Sequence, residues 1–514
     1  MYLCLIIYLP LHAKLHQYVI FIMSSTKTSG QLTDMKVLIL FTLWSFIIQL
    51  FLSNDSPFFG LAHRIDSAWF FMEGKAFISG MRPYVEFTDF KGPIIWLFYG
   101  IGYLISPLNY HGMYVVSGIF YALTLFFNYK TAKIFLKDNQ KSLAATLPMI
   151  FVYFFPWFHF ETRSEDLMLL FVAISLYALF KRLYAEKRDD VADFMMLGGC
   201  FTVLVLMKYN IAAVQGVIVL IALWDQYKKK RGLVMPFVWM IVISVVIAAP
   251  FIIYFIMTDT LAAFFHNYFV LAYETVTYES SDSPSYMQDL AGILEDYRKI
   301  IFIAAVFIGG MLLSLRLKHY RLVPVTIAMI FIAMTTRHNV WNYYYGVCLI
   351  FVFYLFIFLL LFSNKWVRRA CYGLLTAYIL LYCLYGNLIA GELRQNTIFT
   401  HNDDRAAFQE ISDVMKDVKN PKLLNYVCQE FGFGVMYNTI PAGDQFAYPN
   451  GGTPPMIRDH KKILTDRKAD FVVTYCREDQ PDKIPVLREI EAAGYELCLK
   501  RTYMNQPFYI YKKK

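Results

Sequence analysis

Charge is what this sequence has least of. Asp, Glu, Lys and Arg make up 17% of its 514 residues, against about 25% in an ordinary soluble protein. That shortage excludes a soluble enzyme over most of the chain. Paired cysteine motifs are missing as well. The eight cysteines are Cys4, Cys200, Cys348, Cys371, Cys383, Cys428, Cys476 and Cys498, and no two form a CxxC pair. The first five lie in apolar runs, where a thiol packs as a small hydrophobe, so neither zinc nor redox chemistry is indicated. His159 and His338 lack the spacing of metal-binding pairs and read as structural. The turn from Gly451 to Pro455 has no P-loop lysine and no strand–loop–helix setting, so it is a loop and not a phosphate cradle. No internal repeat or low-complexity tract stands out.

Long apolar runs are abundant. Hydrophobic residues account for 58% of the chain and aromatics for 18%. From Lys36 the runs cover 37–52, 93–108, 112–129, 142–158, 167–183, 194–207, 211–227, 233–257, 299–315, 322–336, 343–363 and 367–390. Their lengths suit membrane helices, and the fold class is a polytopic α-helical membrane protein. Residues 1–35 precede them, and residues 1–23 read as an extra span, a signal-like segment or an over-extended start, with Met23 and Met35 as alternative starts. No small-residue cleavage site is convincing, and the segment is assigned no role.

Topology follows from five basic clusters: Lys130 to Lys141, Lys181 to Arg188, Lys228 to Arg231, Arg316 to Arg321, and Lys365 to Arg369. Two runs separate each cluster from the next, so all five share a side, which the positive-inside rule makes cytoplasmic. The net charge of +9 is then a matter of topology and implies no nucleic-acid partner. Run 93–108 is short, contains Gly100 and Gly102, and ends near Pro107. It reads as a helix half-buried in the outer interface. That arrangement predicts about eleven transmembrane helices, an inside N-terminus and an outside C-terminus. Residues 36–390 form the membrane module, with a first outer loop at 53–111. Residues 391–514 form a small extracytoplasmic α/β domain. Its predicted elements are a helix from Asp404 to Val418, strands at Leu423–Cys428, Phe471–Tyr475 and Phe508–Tyr511, and a helix from Val486 to Ala493.

Five outer loops collect many of the notable polar residues. Asp66, Glu73, Glu86, Asp89 and Lys91 come from the first, and Glu161, Arg163, Glu165 and Asp166 from the second. Lys208 lies on the third, and Arg337 and His338 on the fifth, while the long fourth loop, 258–298, is acidic and Tyr-rich. Ionisable groups converging at span ends are functional-site candidates. Lys91, Lys208 and Arg337 could hold a phosphate, and Asp66 could take a proton from a hydroxyl. Simpler readings stand beside these: Asp66 as a solvated cap, Lys91 as a snorkelling lysine, and Arg163 and Glu165 as partners of one another.

Three motifs together resemble the GT-C glycosyltransferases, specifically the bacterial protein-mannosyltransferase and aminoarabinose-transferase branch. They are Asp66 followed by the Gly80-x-Arg82-Pro83-Tyr84 turn, the Lys91-Gly92-Pro93 element, and the Arg163-x-Glu165-Asp166 patch. The resemblance covers roughly residues 36–390 and implies a GT-C fold and a polyprenyl-phosphate sugar donor. It implies Asp66 as the catalytic or acceptor-orienting carboxylate, Glu165 or Asp166 as the second acid, and Lys91 on the lipid phosphate. Asp89, Arg163, Tyr84 and His338 would support them. The Asp-Glu pair common in the group is Asp66-Ser67 here, which weakens a bidentate metal role. No cofactor is required, although a divalent metal could sit among Asp66, Glu165 and Asp166. The expected activity is sugar transfer to a lipid, glycan or protein acceptor on the outer face of a bacterial inner membrane, with inversion. The alternative is a flippase or other transporter, a class that often shows repeated halves and midplane charges.

Overall fold

The computed structural model describes residues 33–59, 65–155, 162–185, 189–209, 211–271, 273–274, 297–317, 323, 326–327, 342–386, 410, 413–428, 432–448, 454–475, 484–503 and 506–514. Residues 1–23, Glu161, His159, Arg337, His338, most of the fourth loop and most of the expected 404–418 helix lie outside them.

The first helix among the described residues is α1 (Asp34–Leu52), opened by the Thr33 side chain accepting from the Lys36 amide. Two helices of the first outer loop follow, α2 (Ile65–Ile78) and α3 (Pro93–Ile105), and then the long α4 (His111–Leu136). Next come α5 (Asn139–Thr146), α6 (Met149–Tyr153), α7 (Ser164–Tyr184), α8 (Asp190–Met207), α9 (Ala212–Lys228) and α10 (Val234–Met257). After these lie α11 (Leu261–Phe265) with a π-helical continuation over His266–Leu271, then α12 (Tyr297–Leu317). A 3₁₀ segment, Asn342–Val352, runs into α13 (Phe353–Leu360), and α14 (Lys365–Leu384) follows.

Six of these helices, α1, α4, α7, α8, α10 and α14, are long and apolar enough to cross a membrane, which makes the chain an integral membrane protein. Their burial is unequal. Ser164–Tyr184 is packed inside the molecule, whereas few residues of Val234–Met257 are fully buried, and Ile241, Val245, Val246 and Ile253 are exposed. Such an all-round apolar helix is stable only against lipid or another apolar surface.

Two expected spans differ. Run 142–158 is no continuous helix but α5 and α6, separated at Leu147 and Pro148. Proline has no N–H for the helix ladder and its ring crowds the preceding turn, so the run breaks there. Run 343–363 is 3₁₀ for its first half, longer than such segments usually run. The fourth loop also opens as helix, since α11 and its π continuation occupy its first residues. Run 93–108 forms the short helix α3, with Ile94, Ile95, Trp96 and Tyr99 buried and Ile101, Leu104 and Ile105 exposed.

The C-terminal part is a five-stranded mixed sheet of order β2-β1-β3-β5-β4. Its strands are β1 (Lys422–Asn425), β2 (Ile440–Pro441), β3 (Phe471–Tyr475), β4 (Tyr495–Tyr503) and β5 (Gln506–Lys513). β1 is parallel to β2 and β3, and β5 is antiparallel to β3 and β4. Helices α15 (Phe433–Met436), α16 (Pro454–Thr465) and α17 (Ile484–Ala492) connect them. Pro454 and Pro455, expected in a loop, instead open α16, because proline is well tolerated in a helix's first turn.

Candidate active site

The site is built where α2, α3, the start of α7 and the end of α8 meet. Asp66 stands in the first turn of α2, where a carboxylate is favoured by the helix dipole. Its Oδ2 faces Nε of Arg163 at 3.6 Å. Arg163 immediately precedes α7, and its backbone N–H donates to Asp166 Oδ2 at 2.9 Å. Asp166 thus closes the N-terminus of α7, as a carboxylate three residues into a helix does, and Arg163 is presented from that closed turn to Asp66. Of the two readings of Arg163, pairing with Glu165 is not the one found. Glu165 instead accepts from Lys208 Nζ and, at 2.9 Å, from the Ser164 hydroxyl.

Lys91 reaches the same place from the other side. Its ammonium lies 5.2 Å from the centroid of the Phe70 ring, one turn along α2 from Asp66. It is 3.4 Å from Asp89 Oδ1. Asp89 Oδ1 is itself fixed by the Phe90 amide at 2.6 Å. Phe70 in turn packs edge-on to Tyr99, whose hydroxyl donates to the Thr162 carbonyl, and the Thr162 hydroxyl donates to buried Asp55. Asp66, Arg163, Thr162, Tyr99, Phe70 and Lys91 therefore form one connected wall.

Glycine makes this approach feasible. A Cβ on Gly92 would stand 2.0 Å from the Leu206 carbonyl oxygen, and the Gly92 amide donates to Met207 O at 2.9 Å. The Lys91-Gly92-Pro93 element is thereby seated on the end of α8, next to Lys208. Pro93 then opens α3 at a position that has no use for an N–H. Tyr84 supports the same loop. Its hydroxyl donates to Lys91 O at 3.1 Å, and its carbonyl accepts from Asn267 at 2.9 Å. Its ring is held by Trp96 and Phe264.

Glu73, named above among the first-loop acids, has an environment that the sequence did not indicate. It is fully buried, and its carboxylate accepts from Trp69 Nε1 at 3.0 Å and Trp96 Nε1 at 2.9 Å. Burial pushes its carboxyl well above the usual carboxylate range, and the Asp89 charge adds to the shift. Lys91 and the two indole donors act in the opposite sense. Asp55 was missed, because nothing in its spacing after the first span distinguishes it from a cap. The sequence signal for the Glu73 environment is a carboxylate four residues after Trp69, following the apolar run Trp69–Met72.

Among the described residues no group of three His, Cys, Asp or Glu side chains could hold a metal. Asp66 and Glu165 face cations and Asp166 a backbone amide, so the three do not gather as a cage.

Residues 91–254 match the model of the dolichyl-phosphate-mannose-protein mannosyltransferase family. A comparison with curated protein sequences gives no match. In fold, the chain is similar to ArnT from Cupriavidus metallidurans bound to undecaprenyl phosphate, with a TM-score of 0.61 and 12% identity over 94% of this chain and 98% of that one. The apo state of the same protein gives 0.61 and 12% over 92% and 97%. The apo oligosaccharyltransferase of Archaeoglobus fulgidus gives 0.38 and 12% over 91% and 73%. The resemblance to the GT-C glycosyltransferases is therefore borne out, in sequence over residues 91–254 and in fold, through the ArnT structures, over nearly the whole chain.

Proposed function

We propose that this protein is a membrane glycosyltransferase moving a sugar from a polyprenyl-phosphate donor to an acceptor hydroxyl on the outer face of the membrane. The observation that carries this reading is the shared wall: the Asp66 carboxylate beside Arg163, with the Lys91 ammonium capping Phe70 one turn away. An anion-binding group and a proton acceptor then flank one space at the membrane surface.

In the proposed step the acceptor oxygen attacks the anomeric carbon and the bond from that carbon to the phosphate oxygen breaks. The electron pair leaves with the polyprenyl phosphate, and the hydroxyl proton passes to Asp66. Direct displacement inverts the anomeric configuration. Lys91 takes up the negative charge that grows on the leaving phosphate, and such electrostatic stabilisation is usually the largest catalytic contribution. Arg163 orients Asp66. Lys208 neutralises Glu165, while the neighbouring Met207 carbonyl accepts the Gly92 amide and supports the lysine loop. Arg337 remains a candidate second cation for the donor phosphate, with His338 beside it. Asp166 holds the turn that presents Arg163.

The lipid that ArnT binds in its solved structure, undecaprenyl phosphate, supports a polyprenyl carrier for this chain. The basic C-terminal end of α7, where Lys181 pairs with Asp193 and Arg182 with Asp190, supports a cytoplasmic side opposite the site. A bacterial inner membrane, with the site and C-terminal domain facing the periplasm or exterior, fits both. Membranes holding the full chain, given a panel of labelled polyprenyl-phosphate sugars, are expected to transfer from one donor. Failure with every donor by well-folded protein would overturn the reading in favour of a transporter.

A further inference from the structure

Helix α2 is held from two sides. Toward α3, Gly74 lies so close that a Cβ there would stand 2.5 Å from the Gly100 nitrogen, and Glu73 accepts from Trp96. The other contacts run to the C-terminal domain. Trp69 packs on Phe446 with ring centroids 5.2 Å apart, and Met72 is buried against Phe446 and Ala447. Gly434 closes on Met72 so tightly that a Cβ would stand 1.9 Å from the sulfur. Lys75 completes the stripe. It is fully buried, and its ammonium donates to the carbonyls of Gly434 at 2.6 Å and Tyr437 at 2.8 Å, with the Tyr103 ring 5.5 Å away.

A buried ammonium is costly unless its donors are satisfied. These two acceptors are backbone carbonyls of the C-terminal domain, more than three hundred residues away in sequence. Burial of Lys75 and docking of that domain are therefore one event. The same helix carries Asp66 at its first turn, and Trp69 joins both contacts: it packs on Phe446 and donates to Glu73.

We propose that the C-terminal domain is a working part of the transfer site, with Lys75 as the positioning residue through which it sets the placement of Asp66 on α2. This rests on the glycosyltransferase reading above. Without the two carbonyls the C-terminal side of α2 loses its polar anchor, while the contacts to α3, of Phe71 to Tyr110 and of Phe77 to Tyr254 remain, and Asp66 loses its fixed placement against Arg163. Lys91, seated on α8 through Gly92, keeps its place, so donor binding is spared.

The test uses the full chain with Lys75→Met, which removes the charge, and separately Gly434→Leu, which blocks docking from the other side. Hydrogen exchange of the 65–78 amides should quicken about tenfold in both variants while that of 111–136 stays unchanged. Transfer per mole of monodisperse protein should show kcat lowered about tenfold with donor KM within about twofold. Unchanged exchange across 65–78 in both variants overturns the proposal whatever the donor panel gives. Quicker exchange with unaltered kcat also overturns it, because α2 then moves without consequence for Asp66. Equal losses in kcat and donor KM, with quicker exchange throughout the molecule, contradict it as well, since they mark general loosening. Absence of transfer by the unaltered chain is a failure of the glycosyltransferase reading and removes the catalytic half with it. The exchange comparison then decides the docking half alone.

Discussion

The Gly92 amide donates to the Met207 carbonyl at 2.9 Å, and this bond sets the lysine loop on the end of α8. Any side chain at residue 92 would meet the Leu206 backbone, which cannot move without displacing Lys208. Gly92→Ala is expected to cost about 1–3 kcal/mol of stability, the usual range for overpacking a tight contact. Thermal unfolding in detergent measures the loss, and donor binding should weaken with it. A variant of unaltered stability and donor affinity would show that the loop is not seated by this contact.

Lys208 and Glu165 are buried together, so their variants should behave asymmetrically. Lys208→Met leaves a carboxylate enclosed without its cation and should cost about 3–5 kcal/mol, with much of the loss recovered by adding Glu165→Leu. Thermal unfolding of the two variants tests this. If Lys208→Met is as stable as the parent and only donor binding suffers, then Lys208 serves the phosphate and not Glu165.

The C-terminal domain carries its own pH dependence. His460 Nε2 accepts from the Val427 amide at 3.1 Å, and Nδ1 bonds to the Gln445 carbonyl at 2.8 Å. Burial lowers its pKa from 6.5 to about 4. A histidine held neutral in the fold contributes stability that is fully present above its unfolded pKa and lost as pH falls toward the folded value. The shift corresponds to roughly 3 kcal/mol by linkage. Denaturant titration of the C-terminal domain's amides by hydrogen exchange at pH values on either side of that window measures it. His460→Gln should remove most of the dependence.

Glu73 gives the opposite sign. Its carboxyl is raised by burial, so its contribution is complete below the unfolded pKa and fades as pH rises through the folded one. Glu73→Gln should flatten that decline. It should also cost about 1 kcal/mol at low pH, because one indole N–H then faces an amide N–H₂. Melting temperature against pH for both proteins decides the matter, and parallel curves would contradict the assignment.

The sequence was informative where one residue type has one physical use. The strand expected at Phe471–Tyr475 forms with those ends as β3, and Leu423–Cys428 and Phe508–Tyr511 appear as the strands β1 and β5 with shifted ends. Lys91-Gly92-Pro93 marks a turn at which only glycine fits, and the Asp66 and Arg163 motifs, nearly a hundred residues apart, are in contact. What could not be read depends on partners distant in sequence. Whether Arg163 would choose Glu165 or Asp66 is decided by the approach of α2 to α7. The Glu73–Trp96 bond needs two helices to cross, and the Lys75 acceptors, Gly434 and Tyr437, lie more than three hundred residues further along the chain. Pro148 shows a different limit: a run of the right length and hydrophobicity was broken by one residue whose effect is local.

The most direct test of the central claim is transfer from labelled polyprenyl-phosphate sugars by the parent chain and by Asp66→Asn, in membranes with matched amounts of folded protein. The account predicts transfer from one donor that is lost in Asp66→Asn, while melting temperature and the binding of polyprenyl phosphate through Lys91 are retained. Transfer that persists undiminished in Asp66→Asn would contradict the role of Asp66 and move the proton acceptor to Glu165 or Asp166.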